Sequence, residues 1–176
     1  VYQISRGLSI GGYGEGFWSE TVSDTKGTPD RADALRFVLY TGYKFSDRII
    51  LNSEIEFEHA TTASTVTSGN GEVSVEFAYL DFLGWDELNA RAGLVLMPLG
   101  FINEIHEPVY FFGNNRPETE RFIIPTTWRE LGAGIHGELF HPDVQYRGYL
   151  TTSLNARGFT SSGIRGGRQS GNRALG

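Results

Sequence analysis

The sequence contains no cysteine. Disulfide frameworks, thiolate nucleophiles and zinc–thiolate sites are therefore excluded. No apolar run approaches the roughly 20 residues that a membrane-spanning helix requires, so a helical membrane protein is excluded as well. Basic charge is scarce: 15 Lys and Arg stand against 21 Asp and Glu, a formal net charge of −6. Phosphate backbones need a basic face, so nucleic acid is not expected as a partner. Catalytic signatures are missing too. There is no G-x-S-x-G elbow and no nucleophile–base pair. His106–Glu107 lacks H-E-x-x-H spacing, and Pro108 forbids a helix interior there. His59, His106, His136 and His141 lie far apart in the chain. No enzyme, metal centre or cofactor is expected.

What is present is glycine, 23 residues of it, and aromatic side chains at 13 %. These residues fall into segments with a period of two, the mark of half-buried strands. Residues 49–60 are a clear case. Ile49, Leu51, Ser53, Ile55 and Phe57 alternate with Asn52, Glu54, Glu56 and Glu58. The same pattern predicts strands over 7–22, 34–46, 72–83, 89–97, 130–140 and 144–155. In 72–83 it sets Val73, Val75, Phe77 and Tyr79 against Glu72, Ser74, Glu76 and Ala78. Residues 157–176, including R-G-G-R at 165–168, read as loop.

Long connections follow the first, third, fifth and seventh predicted strands, and short ones follow the second, fourth and sixth. The polar stretches 23–31 and 61–71 are long connections, and HPD at 141–143 is a tight turn. One elaborated rim and one trimmed rim suit an antiparallel up-and-down meander of the outer-membrane type. The predicted fold class is all-β, a transmembrane β-barrel, with residues 1–176 forming one barrel segment. Val1 is not an initiator methionine, and the segment ends in mid-loop. The expectation is an N-terminal part of a larger barrel.

Each strand has one apolar face and one charged face. In a soluble, lipocalin-like barrel the apolar face turns inward around a hydrophobic ligand, with Phe37, Phe57, Phe77 and Leu94 inside. In a porin it turns outward to lipid. Aromatic rims favour the second reading: Phe17 and Trp18 near one end, and Tyr43, Phe45 and Trp85 near the other. The lumen is then expected to be lined by Arg36, Glu54, Glu56, Glu58, Glu76, Arg91, Glu138 and Arg147.

The longest connection, 98–129, holds four of the six prolines. Loops of this length, about thirty residues, are uncommon in compact domains and usually functional or disordered. Its aromatic content argues against disorder. It is predicted to fold back into the lumen. Phe101, Tyr110, Phe111, Phe112, Phe122 and Trp128 should anchor it, by packing on the wall and on one another. Glu104, Glu107, Arg116, Glu118, Glu120, Arg121 and Arg129 should form a charged constriction, as selective pores do.

The runs R-A-G-L-V-L-M-P-L-G-F-I-N-E-I-H-E-P (91–108) and N-R-P-E-T-E-R-F-I-I-P-T-T-W-R-E-L-G-A-G (115–134), with F-T-S-S-G-I-R-G-G-R-Q-S-G (159–171), resemble bacterial outer-membrane porins of the phosphate-selective porin O/P-like family. The resemblance implies a Gram-negative outer-membrane location, the lipid bilayer as partner, passive transport of small polar or ionic solutes, and a homotrimer. It implies a barrel of about sixteen or more strands, within the range known for such channels. The arginine ladder and lysine cluster of phosphate-specific members have no residue-by-residue counterpart here.

Overall fold

The computed structural model describes residues 5–20, 22, 30–59, 71–140 and 143–168. The connections at 23–31 and 61–71, the turn at 141–143 and the end of the tail lie wholly or largely outside the described residues, as does His141. The fold is all-β, with seven antiparallel strands in up-and-down order. They are β1 (Gly7–Ser19), β2 (Arg31–Ser46), β3 (Ile49–Glu58), β4 (Glu72–Trp85), β5 (Leu88–Leu96), β6 (Arg129–Leu139) and β7 (Val144–Thr151). The alternation therefore located each of the strands among the described residues, with ends off by a few residues. The chain divides into two compact units at Glu76/Phe77.

In the first unit, β1 pairs with β2 and β2 with β3. Tyr13 lies opposite Val38, and Val38 opposite Glu56. This register gathers Tyr13, Glu15, Arg36, Val38, Tyr40, Glu54 and Glu56 on one face, because successive side chains point to opposite sides. That face is the covered one. Val38, Glu54, Glu56 and Glu76 are buried, with Glu54 only 1 % exposed. The opposite face is bare: Leu8, Ile10, Phe37, Tyr43, Phe45 and Phe57 are all exposed, and the Phe37 and Phe57 rings lie 6.1 Å apart.

In the second unit, β4 to β7 pair in chain order. Phe82, Leu131, Ile135, Leu139 and Leu150 are exposed, while Asp81 is fully buried. One sequence expectation is corrected in β4. Val73 and Val75 are exposed and Glu76 is buried, as alternation requires, yet farther along Asp81 is buried and Phe82 exposed. A strict period of two cannot bury both an even and an odd position, so the pattern changes phase once between them, as one extra residue in a strand would cause. Tyr79 consequently joins the charged set instead of the apolar one. The Arg91 guanidinium lies 3.9 Å from its ring centroid.

The β4–β5 turn, Asp86 and Glu87, is anchored onto the next hairpin. The Glu138 N–H donates to the Asp86 carbonyl (2.9 Å), and the Tyr146 hydroxyl donates to the Glu87 carbonyl (2.6 Å). Gly137 makes this approach possible, since a Cβ there would sit 2.1 Å from the Glu87 carbonyl oxygen. Gly137→Ala should therefore push the turn away and destabilise the fold by about 1–3 kcal/mol, as overpacking typically does. Thermal unfolding should show a lowered midpoint. Gly148→Ala, where a Cβ meets open space, is the matched control.

Candidate functional site

The long connection between β5 and β6 begins as a continuation of their ladder. The Met97 N–H donates to the Trp128 carbonyl at 2.9 Å, beyond the last strand pair, Leu96 with Arg129. From there the backbone leaves the sheet, and its polar groups need new partners. Asn103 supplies several. Its Nδ2 donates to the carbonyls of Met97 and Trp128, both at 2.8 Å, and its Oδ1 accepts the Trp128 N–H at 2.6 Å. One side chain thus bridges both legs of the loop.

Three short helical turns follow. A 3₁₀ turn covers Asn103–Ile105, and a second covers Pro108–Tyr110 with Pro108 at its first position, where no N–H is missed. A π turn covers Thr119–Ile123 on the return leg. Its Glu120 reaches across to the outgoing leg. The carboxylate accepts the Phe101 N–H, and it accepts the Ile102 N–H at 3.0 and 3.2 Å through its two oxygens. Thr127 then turns the chain at φ 45°, a left-handed conformation uncommon for a threonine. Arg116 donates to the Thr127 hydroxyl (3.3 Å) and to the His106 carbonyl (3.3 Å). Arg129 donates to the Thr127 carbonyl at 3.2 Å.

The interior of this loop is accordingly polar. Asn103, His106, Glu120 and Thr127 are buried, together with Ile102 and Pro125. Four of the six aromatic side chains lie outside: Phe101 is 87 % and Phe112 88 % exposed, and Tyr110 and Phe122 are also exposed, whereas Phe111 and Trp128 are half-buried. The expectation that the rings anchor the loop is therefore corrected for those four. Buried polar groups hold it, because the carbonyls and N–H groups of a chain without regular ladders must be paired where water is absent.

The expected constriction set divides in two. Glu118 and Arg121 face solvent as an i,i+3 pair at 3.7 Å, and Arg121 also lies beside the Phe122 ring. Glu104 is partly exposed and ion-pairs with Arg147 of β7. Glu107 is half-buried at the start of the second turn. Arg116, Arg129 and Glu120 are engaged inside the loop. For Glu120 the expectation of a water-facing carboxylate is corrected, since it is 2 % exposed and committed to backbone donors.

The expected lumen residues lie on the charged faces of the two units. In the first, Arg36 holds Glu15 at 2.8 Å and Glu56 at 2.9 Å, while Glu58 is half-buried. In the second, Arg91 forms a two-pronged pair with Asp81, at 2.7 and 3.0 Å. His136 Nε2 stands 3.7 Å from the same carboxylate. Glu138 accepts from Gln145 at 3.0 Å. A cavity of about 450 Å³ opens here, lined by Asn89, Arg91, His136, Glu138, Arg147 and Tyr149 among others. Sequence reasoning missed Asp81, because the change of phase in β4 hid its face. Counting back from the Asp86–Glu87 turn pairs Asp81 with Ala92; the register shift between Leu83 and Trp85 moves it opposite Arg91, so the pair is not readable from the turn alone.

Comparison with known proteins adds one relative of note. A protein of Aquifex aeolicus (strain VF5), described as uncharacterized, is 43 % identical over 157 residues. The match covers 89 % of this chain and 34 % of the relative, so the chain spans about a third of that protein's length. No family model matches, and no solved structure matches.

Glu120→Ala should orphan the Phe101 and Ile102 amides, at a cost of about 1–3 kcal/mol for each buried group. Hydrogen exchange at these two amides should speed up by at least about tenfold. Glu118→Gln, on the exposed side of the same turn, should leave them unchanged.

Proposed function

We propose that this chain contributes wall and constriction to an outer-membrane channel for passive diffusion of small hydrophilic or ionic solutes. One observation carries the reading: the strands cover their carboxylates and leave their large apolar side chains bare. In water this arrangement forgoes about 1.5–3 kcal/mol for each large apolar side chain that full burial would stabilise. In lipid the same apolar row is the solvated surface, and the charged face belongs to water. Trp18 and Trp85, exposed at strand ends, suit the headgroup level where indoles gather. A homotrimer in a Gram-negative bacterium follows from the porin resemblance.

The charged wall supports a preference for cations. In the first unit Glu15, Glu54, Glu56 and Glu76 share their face with Arg36, whereas in the second Asp81 and Arg91 balance. The loop at 98–129 narrows the passage, and Glu104, Glu118 and Arg121 are its water-facing charges.

Planar-bilayer recording on the purified protein, with reversal potentials in asymmetric salt, tests this. Stepwise conductance and cation preference are expected. Deleting residues 104–122 should raise the conductance, and Glu118→Gln should weaken the cation preference. A protein that stays dissolved without detergent, shows no heat-dependent gel migration and opens no channels would refute the reading.

A further inference from the structure

The segment after β7 carries R-G-G-R at 165–168, a motif for which the channel reading gives no use. In the structure it belongs to a compact arch. The Asn155 N–H donates to the Gly167 carbonyl at 2.8 Å and closes the arch. Inside it, Thr160 and Gly163 bridge each other, and 3₁₀ turns cover Ala156–Gly158 and Arg165–Gly167. Gly158 and Gly166 are in such close approach that a Cβ at Gly158 would sit 2.1 Å from the Gly166 carbonyl oxygen.

The arch is bonded to the return leg of the loop at 98–129. The Ile164 N–H donates to the Ile123 carbonyl at 2.8 Å. Arg165 donates to the Arg121 carbonyl. Arg168 donates to the Thr126 carbonyl, and to the Thr127 carbonyl at 2.8 Å. Gly163, at φ +152°, packs so close to Ile123 that a Cβ would meet its carbonyl oxygen at 2.5 Å. The acceptors are spread over seven residues, 121–127. They cover both the π turn that carries Glu120 and the left-handed turn at Thr127.

We propose that the arch at 155–168 is a latch that positions the constriction loop, with Arg165 and Arg168 as its positioning residues. The guanidiniums suit this task, because a planar fork of five donors can hold main-chain carbonyls in a fixed direction where a point charge cannot. Spacing follows from the motif. Two small residues between the arginines allow the tight turn and the close backbone approach, and the two forks then address carbonyls at either end of the return leg. The partner of the motif is this chain's own backbone, not an anion or a nucleic acid.

The inference rests on the channel reading only for its consequence, that loop position sets ion flow; the latch itself can be tested separately. The Arg121 carbonyl belongs to the Arg121–Phe122 peptide bond, so Arg165 guards a tryptic site. The test uses the full chain in detergent, with Arg165→Gln, Arg168→Gln and the double variant. The double variant should be cut by trypsin after Arg121 at least about ten times faster, since cleavage follows the population of the open loop. Arg165→Lys should rescue only in part. Gly163→Ala is the second route to the same end, leaving both arginines in place while forcing the arch off Ile123. In bilayers, loosened loops should show as excess open-channel current noise without loss of the open level. Faster cleavage together with noise supports latch and channel alike. Faster cleavage without any change in current supports the latch and overturns the constriction reading. Cleavage unchanged in the double variant and in Gly163→Ala overturns the latch.

Discussion

The loop between β5 and β6 depends on the amide of Asn103. Where the backbone leaves the ladder, the Trp128 N–H needs a new acceptor, and the Met97 and Trp128 carbonyls, which already accept the Leu99 and Met97 N–H groups, can each take a second donor. Asn103 answers all three from a side chain that is itself buried. An amide is suited to this because it carries donors and an acceptor on one rigid plane. The Glu120 carboxylate then takes the next two N–H groups along the outgoing leg. The path of roughly thirty residues is thus fixed by a few side chains near its ends, and it can carry rings and charges on its outside without depending on them.

The same rule orders the sheet. On the charged faces, carboxylates are covered where a cation or hydroxyl stands beside them, as with Asp81 under Arg91 and Glu56 beside Arg36. Breaking one partner of such a pair leaves an uncompensated buried charge, which costs more than the intact pair contributes. The apolar faces carry no such constraint. Their large side chains, such as Phe37, Phe57 and Leu150, are exposed and need no polar partner.

How much of this was legible in the sequence follows from which rule each residue obeys. Strand positions were readable because Ile49–Glu58 and its neighbours keep a clean period of two. Faces were readable up to Glu76. Beyond it, one change of phase in β4 moved Tyr79 and Asp81 to the charged side, and no composition signal marks such a shift. Counting from the Asp86–Glu87 turn does not reveal it either, because a register shift between Leu83 and Trp85 moves Asp81 from Ala92 to Arg91. In the loop, the rule that rings go inside failed at Phe101 and Phe112. A loop this poor in regular hydrogen bonding gains more from enclosing Asn103 and Glu120 than from enclosing phenylalanine. The R-G-G-R motif was visible as a string, but its partners are main-chain carbonyls, which every sequence has and no sequence displays.

The stem of the loop has a further consequence, for how such a protein can diversify. Met97 and Trp128 continue the pairing of β5 and β6, so the loop starts and ends at adjacent points of the sheet. Its inner seals, Asn103 and Glu120, belong to the loop and bond to backbone rather than to particular side chains. A stretch that is closed at its base and sealed by its own residues behaves as a cassette. The tip from Val109 to Asn115, short of the anchoring Arg116, can then vary in length or charge without disturbing the register of any strand. The character of the loop and the stability of the sheet become separate heritable traits, and one can change while the other stays fixed.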